Sequence, residues 1–495
     1  MELNPDACYQ ALVAHDPRFD GVFFVGVSTT RIYCRTVCPA KTPGRDRCTF
    51  YPSAAAAERA GYRPCLRCRP ELAPGNARMD GIGRLAAAAA DKIEEGALTE
   101  GSVADLAEEL GVGERHLRRV VNSEFGVSPV ELAQTQRLLL AKRLLMDTRL
   151  PIGEVAFASG FSSLRRFNAL FQSRYRLSPT QIRRQSSTQT EKALRCELSY
   201  RPPLDWDALV QFLAPRSAVG VESVDGRRYL RAVAIGKYRG WIAVEPVPGK
   251  NRLRVDVSPS LLPTLLPVLT RVKRLFDLSA DPERITSHLG ALAAGDPGMR
   301  VPGAFDGFEM AVRAILGQQV SVKAASTLAG RFVGAFGETC PSSEEWPSGL
   351  THFTPSAERI ASIEAEAMSK LGILPARARS IIALAKAVTD GQIVLEPSAD
   401  VDETLSRLKS LPGIGEWTAQ YVAMRALSWP DAFPHTDLGI YKALGDTNPA
   451  RVLSAAECWR PWRSYAVMHL WRNLPLIPAP SPLQGKGSLS VLEAK

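Results

Sequence analysis

The sequence predicts a multidomain protein that is mainly α-helical with α+β parts. Its 495 residues exceed the roughly 100–200 residues of one domain, which indicates three or four domains. Small polar or unpatterned stretches interrupt the chain at 73–83 and 184–194, and a Pro/Gly/Ser-rich tail begins at Pro475. Between these stretches the pattern of apolar residues changes from block to block, so the blocks are expected to differ in fold.

The predicted domains follow these breaks. The first is a small cysteine-rich α/β domain, and the second is an all-helical block in which one pattern occurs twice. An α+β lobe then rests on β-like runs at 196–200, 220–224, 228–235, 240–246 and 252–257. A helical lobe with Ala-rich segments and a disordered tail complete the chain. The predicted boundaries are 1–76, 84–186, 196–303, 304–474 and 475–495.

The net charge of the chain limits the classes of partner that it is expected to bind. The formal net charge is +10 and the pI about 9.2, which suits a polyanion or an anionic membrane surface; solubility alone is the plainer explanation. No signal peptide and no apolar run near 18 residues is visible, so the sequence predicts a cytoplasmic protein without a membrane partner. Nine cysteines in a reducing compartment favour metal or thiol chemistry over disulfides.

Four of the cysteines form two short-spaced pairs. Cys34 and Cys38 are separated by three residues and Cys65 and Cys68 by two, with 26 residues between the pairs. Two such pairs on separate turns can converge on a tetrahedron, the geometry that Zn²⁺ prefers. Spacing alone favours a purely structural zinc site. The other five cysteines lack paired spacing and are expected to be ordinary thiols.

The residues around these pairs point to a more specific chemistry. The segments DGVFFVGVSTTRIYCRTVCPAK and FYPSAAAAERAGYRPCLRCRP closely resemble the amino-terminal domain of the Ada methylphosphotriester acceptor, over roughly residues 6–72. The resemblance implies that Cys34 takes the methyl group, and that Cys34, Cys38, Cys65 and Cys68 bind Zn²⁺. Methylation would change the site's formal charge from −2 to −1, which should strengthen DNA binding. Candidate phosphate contacts are Arg31, Arg35, Arg45, Arg47, Arg67 and Arg69, and the alternative for each of them is a solvated surface charge.

The helical block contains a doubled helix-turn-helix. SVADLAEELGVGERHLRRVVNSEFGVSP and LPIGEVAFASGFSSLRRFNALFQSRYRLSPTQIRR share one layout, and a long helix from Pro129 to Met146 is expected to join them. The block resembles the AraC family's DNA-binding domain over roughly residues 84–185. That resemblance implies two recognition helices in successive major grooves of duplex DNA. The candidate DNA contacts are Arg115, Arg118, Arg119, Arg165 and Arg166.

The carboxyl-terminal half carries a hairpin motif. In LPGIGEWTAQYVAMRAL, Gly413 and Gly415 let backbone amides approach a phosphate at a helix amino terminus. PHTDLGIYKAL follows and contains Asp437. Together these segments resemble the helix-hairpin-helix glycosylase superfamily, which implies that Asp437 is the catalytic carboxylate. Such a carboxylate stabilises the sugar cation that develops as the N-glycosidic bond breaks, or orients water toward it.

The resemblance narrows to AlkA-type 3-methyladenine DNA glycosylases over about residues 196–474, through segments that include GMRVPGAFDGFEMAVRAILGQQVSV and PWRSYAVMHLW. It implies an aromatic cleft for a flipped alkylated purine, lined by Trp417, Tyr421 and Trp471. Bifunctional relatives place a Lys where this chain has Trp417, so monofunctional hydrolysis is expected. Gln319 stands at the position of the family's Leu wedge and is expected to fill the gap left by the flipped base.

The sequence thus predicts a repair protein that also regulates transcription. A PCHR-type segment is absent, so the O6-alkylguanine transferase half of full Ada proteins is replaced here by a glycosylase. The expected partners are alkylated and promoter duplex DNA, with RNA polymerase a further candidate, and a monomer is expected. The competing hypothesis is a transcription regulator whose glycosylase lobe is inactive and only binds DNA.

Overall fold

The structure is a computed structural model that describes residues 3–75, 83–184, 194–343 and 346–472. It confirms the predicted fold class: a small domain with a four-cysteine cluster, a helical double helix-turn-helix, and an α+β lobe followed by a helical lobe. The predicted tail and most of both predicted linkers lie outside the described residues. Among the described residues, no helix combines the length and the apolar character that crossing a bilayer requires.

The first domain is built on a four-stranded sheet with strand order β3-β1-β2-β4. β1 pairs antiparallel with β2 and β3, whereas β2 pairs parallel with β4. Helix α2 begins at the cap residue Ser53, whose hydroxyl accepts from the Ala56 amide at 3.0 Å. Its elements are α1 (Pro5–Val13), β1 (Phe24–Val27), β2 (Ile32–Cys34), β3 (Cys48–Tyr51), α2 (Ala54–Arg59) and β4 (Arg63–Pro64).

The two halves of the helical block share their helix-capping residues as well as their helices. Ser128 and Ser178 each form a capping box and are each followed by proline, which fixes φ for the first helical turn. The long connecting helix predicted from 129 to 146 is α7, one residue longer. The helices are α3 (Arg84–Glu94), α4 (Ala97–Glu100), α5 (Val103–Glu109), α6 (Glu114–Phe125), α7 (Pro129–Asp147), α8 (Ile152–Ala158), α9 (Leu164–Tyr175) and α10 (Pro179–Arg183).

The α+β lobe carries an antiparallel sheet with strand order β5-β9-β8-β7-β6. The predicted runs 228–235 and 252–257 coincide with strands, and the other three runs differ from their strands by one or two residues at one or both ends. The elements are β5 (Leu194–Ser199), α11 (Trp206–Leu213), β6 (Glu222–Asp225), β7 (Arg228–Ile235), β8 (Tyr238–Pro246), β9 (Arg252–Val257), α12 (Leu265–Leu275) and α13 (Pro282–Leu289).

The helical lobe positions the hairpin and the acidic residue beyond it. The segment LPGIG joins α19 to α20, and Asp437 caps α21. Its helices are α14 (Gly307–Leu316), α15 (Val322–Phe336), α16 (Ala357–Ala361), α17 (Ala365–Ser369), α18 (Pro375–Thr389), α19 (Val401–Ser410), α20 (Glu416–Arg425), α21 (Leu438–Leu444), α22 (Pro449–Ala456) and α23 (Arg463–Arg472).

The units pack against one another through buried groups. One hydrophobic cluster continues from the helical block into the α+β lobe, so that Leu144 and Val255 belong to the same core. The first domain meets α7 through a buried ion pair between Glu71 and Lys142, whose side chains are almost fully inaccessible. A buried ion pair tolerates little movement, because separating the charges leaves each one without compensation. The first domain is therefore fixed against the connecting helix.

Candidate functional site

Two pairs of cysteines meet beside the small sheet. Cys34 ends β2 and Cys38 follows in the next turn, whereas Cys65 and Cys68 come after β4. Since β2 and β4 are parallel neighbours, both chain segments leave the sheet at the same edge. The four Sγ atoms all lie within 4.8 Å of one another. The structure thus brings together the four cysteines that the sequence spacing singled out.

The surroundings of these sulfurs suit a metal with thiolate ligands. The Arg35 amide donates to Cys68 Sγ and the Arg67 amide donates to Cys65 Sγ, each at 3.4 Å. Backbone N–H groups of this kind stabilise negative charge on sulfur. Four mutually close cysteine sulfurs are the donor set of a tetrahedral Zn²⁺ site. The residues present therefore fit the metal that the sequence predicts.

Cys34 differs from the other three cysteines in its accessibility. Its side chain is partly exposed, whereas Cys38, Cys65 and Cys68 are buried. A mainly apolar cavity of about 280 Å³ opens beside the cluster. Its lining includes Leu12, Val25, Ile32, Ala40, Lys41, Arg63 and Arg67. An incoming alkyl group can therefore approach the sulfur of Cys34 against apolar side chains, while basic side chains stand nearby.

Two of the six arginines predicted to face phosphates are internal, and for these the prediction was wrong. Arg35 is buried and donates to both carboxylate oxygens of Asp20. Arg69 donates to both oxygens of Asp147 at 2.7 Å and to Glu71 at 2.9 Å. Each guanidinium compensates carboxylates that are largely removed from water, so neither is free to meet DNA.

Arg45 remains at the surface of the first domain. Its Nη2 lies 3.2 Å from a carboxylate oxygen of Asp6, and its guanidinium lies 5.4 Å from the ring centre of Phe50. Both contacts are partly exposed and weak enough to yield to a phosphate. The other accessible members of the predicted set are Arg31, Arg47 and Arg67.

The recognition helices present their arginines to solvent. Arg118 pairs with Glu114 one turn earlier on α6, and Arg119 contacts His116. Such pairs on an exposed helix contribute only a few tenths of a kcal/mol, so they do not withhold these side chains from DNA. Every predicted contact in the helical block is exposed: Arg115, Arg118 and Arg119 on α6, and Arg165 and Arg166 at the start of α9.

Asp437 sits between two tryptophans. Its Oδ2 accepts from Trp417 Nε1 at 2.8 Å, and its Oδ1 accepts from Trp471 Nε1 at 2.9 Å. The same Oδ1 accepts from the amides of Gly439 and Ile440, so Asp437 also caps α21. Four N–H donors therefore orient one carboxylate, and two of them belong to side chains from distant helices.

The aromatic rings form a continuous wall around this carboxylate. Trp417 and Tyr421 are stacked, with ring centres 5.2 Å apart and planes inclined by 15°. Tyr421 and Trp471 are 6.2 Å apart. All three are partly exposed. The structure thus brings Trp417, Tyr421 and Trp471 together with Asp437, and their π-faces can hold a planar ring.

Three further residues of this wall were missed by the sequence interpretation. Phe212, at the end of α11, stacks on Trp471 with planes inclined by 13°. The guanidinium carbon of Arg216 lies 3.9 Å from the ring centre of Phe212, and Arg425 donates to the Tyr421 hydroxyl at 2.8 Å. Burial lowers the pKa of Arg216. The i,i+4 spacing of an aromatic residue and an arginine was the only local signal, and it is common on helix surfaces.

The two hairpin glycines have different backbone surroundings. Gly413 has φ +75°, and a Cβ there would lie 2.4 Å from Ser380 Oγ, so this position requires glycine. Gly415 precedes α20 and faces open space. Gln319 is exposed with φ +52°, while the neighbouring Gln318 amide donates to the Gly413 carbonyl at 3.0 Å. The predicted wedge residue is therefore held beside the hairpin.

Comparison with known protein families divides the chain into four matched segments. The metal-binding domain of Ada matches residues 7–71, and a helix-turn-helix domain matches residues 106–185. The AlkA N-terminal domain matches residues 195–306, and the HhH-GPD superfamily of base excision DNA repair proteins matches residues 312–468. The cysteine cluster lies in the first segment. Of the cleft residues, Phe212 lies in the third segment and Trp417, Tyr421 and Asp437 lie in the fourth, whereas Trp471 follows the end of the fourth.

Similar proteins combine or separate these segments. The chain is 38% identical over 485 residues to the "Probable bifunctional transcriptional activator/DNA repair enzyme AlkA" of Mycobacterium tuberculosis, covering 95% of this chain and 96% of that protein. It is 38% identical over 274 residues to DNA-3-methyladenine glycosylase 2 of Escherichia coli, covering 55% and 95%. Against the bifunctional enzyme Ada of E. coli, identity is 34% over 142 residues, covering 29% and 38%.

Proposed function

Because the chain belongs to the family of bifunctional transcriptional activators and DNA repair enzymes that join Ada-type to AlkA-type domains, we propose that it repairs two kinds of alkylation damage in DNA. The first is a methylphosphotriester, whose methyl group passes to Cys34. The second is an alkylated purine such as 3-methyladenine or 7-methylguanine, which the cleft around Asp437 releases. Methylated protein binds promoter DNA through the helix-turn-helix helices and activates transcription, with RNA polymerase as the expected partner.

Methyl transfer uses the accessible sulfur. Zn²⁺ held by the four cysteines would keep them ionised near neutral pH. Cys34 Sγ attacks the methyl carbon in line with the C–O bond; an S–C bond forms, and the electron pair of the C–O bond leaves with the phosphodiester oxygen. The product thioether is a very weak leaving group, so the chain acts once. This step is supported by the partial exposure of Cys34, which its three neighbours lack.

The same step supplies the regulatory switch. One unit of negative charge is lost from a site that meets the DNA backbone, so repulsion falls and affinity rises, most at low salt. The partly exposed Arg45 belongs to this surface. The arginines of α6 and α9 then meet the duplex as sequence-reading helices do.

Base excision uses the cleft of the helical lobe. A flipped purine stacks on Trp417, Tyr421 and Trp471, while Asp437 faces the sugar. As the bond from C1′ to the purine nitrogen breaks, positive charge develops on the sugar and the carboxylate stabilises it. Water supplies the hydroxyl that C1′ gains. Trp417 stands where a Schiff-base lysine would be needed, so the reaction is hydrolysis without strand cleavage.

One observation carries this proposal: the Asp437 carboxylate is hydrogen-bonded by the indole N–H groups of Trp417 and Trp471 inside one aromatic cleft. An inactive lobe kept only for DNA binding has no need of such an arrangement. The excision assay that separates the two hypotheses uses a duplex with one 7-methylguanine. The proposed enzyme leaves an abasic site and an intact strand, whereas an inactive lobe binds the duplex and leaves the base in place.

The acceptor half is tested by mass spectrometry. The zinc-loaded full chain is incubated with duplex DNA carrying methylphosphotriesters, then digested. The proposal expects one added methyl group on the Cys34 peptide, and none in Cys34→Ala. Cys48→Ala is the matched control, because Cys48 is a buried thiol of the same domain outside the cluster and should leave the adduct unchanged. An adduct on another cysteine in the parent protein would contradict the assignment.

A further inference from the structure

One wall of the cleft consists of three stacked groups that end in a cation. Arg216 follows α11 in a short 3-10 turn, and its guanidinium carbon lies 3.9 Å from the centre of the Phe212 ring. The Phe212 ring stacks in turn on Trp471, which donates to Asp437. The sequence of contacts places a positive charge in the same wall as the carboxylate.

The guanidinium has hydrogen-bonding capacity to spare. Its Nη1 donates to the Phe212 carbonyl at 3.0 Å. Within the described part of the chain, its Nε and Nη2 have no hydrogen-bond acceptor, and neither atom is fully buried. Burial lowers the pKa of Arg216, as do the neighbouring Arg425 and Arg313, whereas Asp437 raises it, which places Arg216 within electrostatic reach of the carboxylate. An arginine stays charged at neutral pH even in such a setting.

A cation in this wall is unexpected in a cleft built only for cationic bases. Arg216 already covers the ring of Phe212, and Arg425 lies 5.6 Å from the ring centre of Tyr421. These contacts use ring faces that would otherwise attract a positively charged purine. Two guanidinium groups also repel such a purine directly. The arrangement therefore favours something other than positive charge on the base.

The charge on the departing base gives a reason for a guanidinium in this wall. When the glycosidic bond of a cationic base such as 7-methylguanine breaks, its electron pair neutralises the ring and the base departs uncharged. When the base is neutral, the same electron pair leaves it as an anion, with charge on the ring nitrogens and the carbonyl oxygen. Water adds to C1′, and the proton it releases balances the anion. Only the second departure gains from a nearby guanidinium.

We propose that Arg216 donates a hydrogen bond to the departing base and thereby sets the cleft's preference between neutral and cationic lesions. The proposal rests on the glycosylase activity proposed above. It assigns Arg216 a role in the excision of neutral bases that carry a carbonyl oxygen or an accepting ring nitrogen. For cationic bases, Arg216 gives no assistance.

The test compares two lesions in the same duplex sequence, hypoxanthine as the neutral base and 7-methylguanine as the cationic one. Single-turnover excision rates are measured for the parent protein and for Arg216→Met, which keeps a long side chain without charge. We expect the hypoxanthine rate to fall at least tenfold and the 7-methylguanine rate to stay within threefold or rise. Arg216→Lys, with a charge but a different reach, should recover part of the loss for hypoxanthine.

A matched control separates charge at this site from loss of any arginine. Arg331, on α15 of the helical lobe and outside the cleft, also donates to a backbone carbonyl, that of Leu371, so Arg331→Met should leave the ratio of the two rates unchanged. Equal losses for both lesions in Arg216→Met would overturn the proposal, as would an unchanged ratio. Should Arg216→Met fail to fold, the two rates are compared in Arg216→Lys instead, and an unchanged ratio there would overturn the proposal. A parent protein that releases neither base refutes the glycosylase proposal instead.

Discussion

The two candidate repair sites are assembled from very different lengths of chain. The sulfur site takes all its ligands from residues 34–68 of one small domain, where two paired strands bring them together. The cleft takes its carboxylate from Asp437, its rings from Phe212, Trp417, Tyr421 and Trp471, and so spans two lobes. A site made within one short segment carries its signature in spacing, whereas a site made from distant segments depends on the whole fold.

The sites also differ in how they hold negative charge. At the cysteine cluster the sulfur of Cys34, the proposed methyl acceptor, is partly exposed, so it can meet a lesion that projects from the DNA backbone. The Asp437 carboxylate is also partly exposed, but it accepts from four N–H donors and lies beside aromatic rings, an arrangement that suits a nucleotide that has left the base stack. The two sites should therefore fail independently when either is altered.

The largest expected effect comes from removing the cleft's charge. Asp437→Asn keeps the size of the side chain and one accepting oxygen, but it loses the charge to which the proposed mechanism assigns stabilisation of the sugar cation. Single-turnover release of 7-methylguanine should fall about 100- to 1,000-fold, the range seen when one charge-stabilising group is removed from an active site. Methyl transfer to Cys34 should stay at the parent level, since the two sites share no residue.

The control for this variant is Asp400→Asn. Asp400 caps α19 in the same lobe by accepting from the Glu403 amide at 2.9 Å, but it lies outside the cleft. Its replacement also removes one helix-capping charge, so a similar loss of excision in both variants would indicate a general effect on folding. Parent-rate excision by Asp437→Asn would remove Asp437 from the proposed mechanism.

Sequence patterns predicted the parts of the molecule that depend on neighbouring residues. The long connecting helix predicted from Pro129 is α7, and the run predicted at 252–257 is β9. The cysteine spacing predicted the cluster. In each case a hydrogen bond or a side-chain period acts over a few residues, so the pattern is visible locally.

Long-range partners were not visible in this way. Arg35 and Arg69 looked like surface cations, and only the fold shows that each neutralises a buried carboxylate. In sequence, Phe212 and Arg216 look like the end of an ordinary helix. They become part of the cleft wall only because α11 packs beside Trp471. Burial and pairing are properties of the folded chain, and a charged residue looks the same in sequence whether it meets water or an acid.

A second prediction concerns Glu58, a buried carboxylate that connects the domain of the cysteine cluster to the helical block. Glu58 on α2 is buried and accepts from Tyr33, next to Cys34, and from Thr135 on α7, each at 3.0 Å. Burial raises the pKa of Glu58 to about 7, although hydrogen bonds from Thr135 and Tyr33 and the charge of Arg174 act to lower it. The folded chain therefore binds a proton there that the unfolded chain has lost above its usual pKa.

The sign of the pH effect follows from this difference. Between about pH 4.5 and 7 the folded state binds more protons, so the free energy of unfolding should fall as pH rises through that window. From pH 5.5 to pH 8 the loss from Glu58 is about 2 kcal/mol. Glu58→Gln should remove this slope in urea unfolding, and it should be more stable than the parent at pH 8. The exposed Glu108→Gln is the control, and a slope unchanged in Glu58→Gln would contradict the prediction.

The smallest expected effect concerns the cleft's approach to the duplex. Gln319 is exposed, has φ +52° and lies beside the hairpin, to which Gln318 is bonded. If its side chain fills the gap left by a flipped base, Gln319→Ala should slow excision from a paired duplex about fivefold to tenfold. Gln319→Gly removes the side chain and also relieves the positive φ, so it should show the same loss if gap filling is what matters. A duplex with the lesion opposite an abasic site needs less gap filling, and there both variants should approach the parent rate. Equal losses on both duplexes would instead assign Gln319 to the stability of the loop.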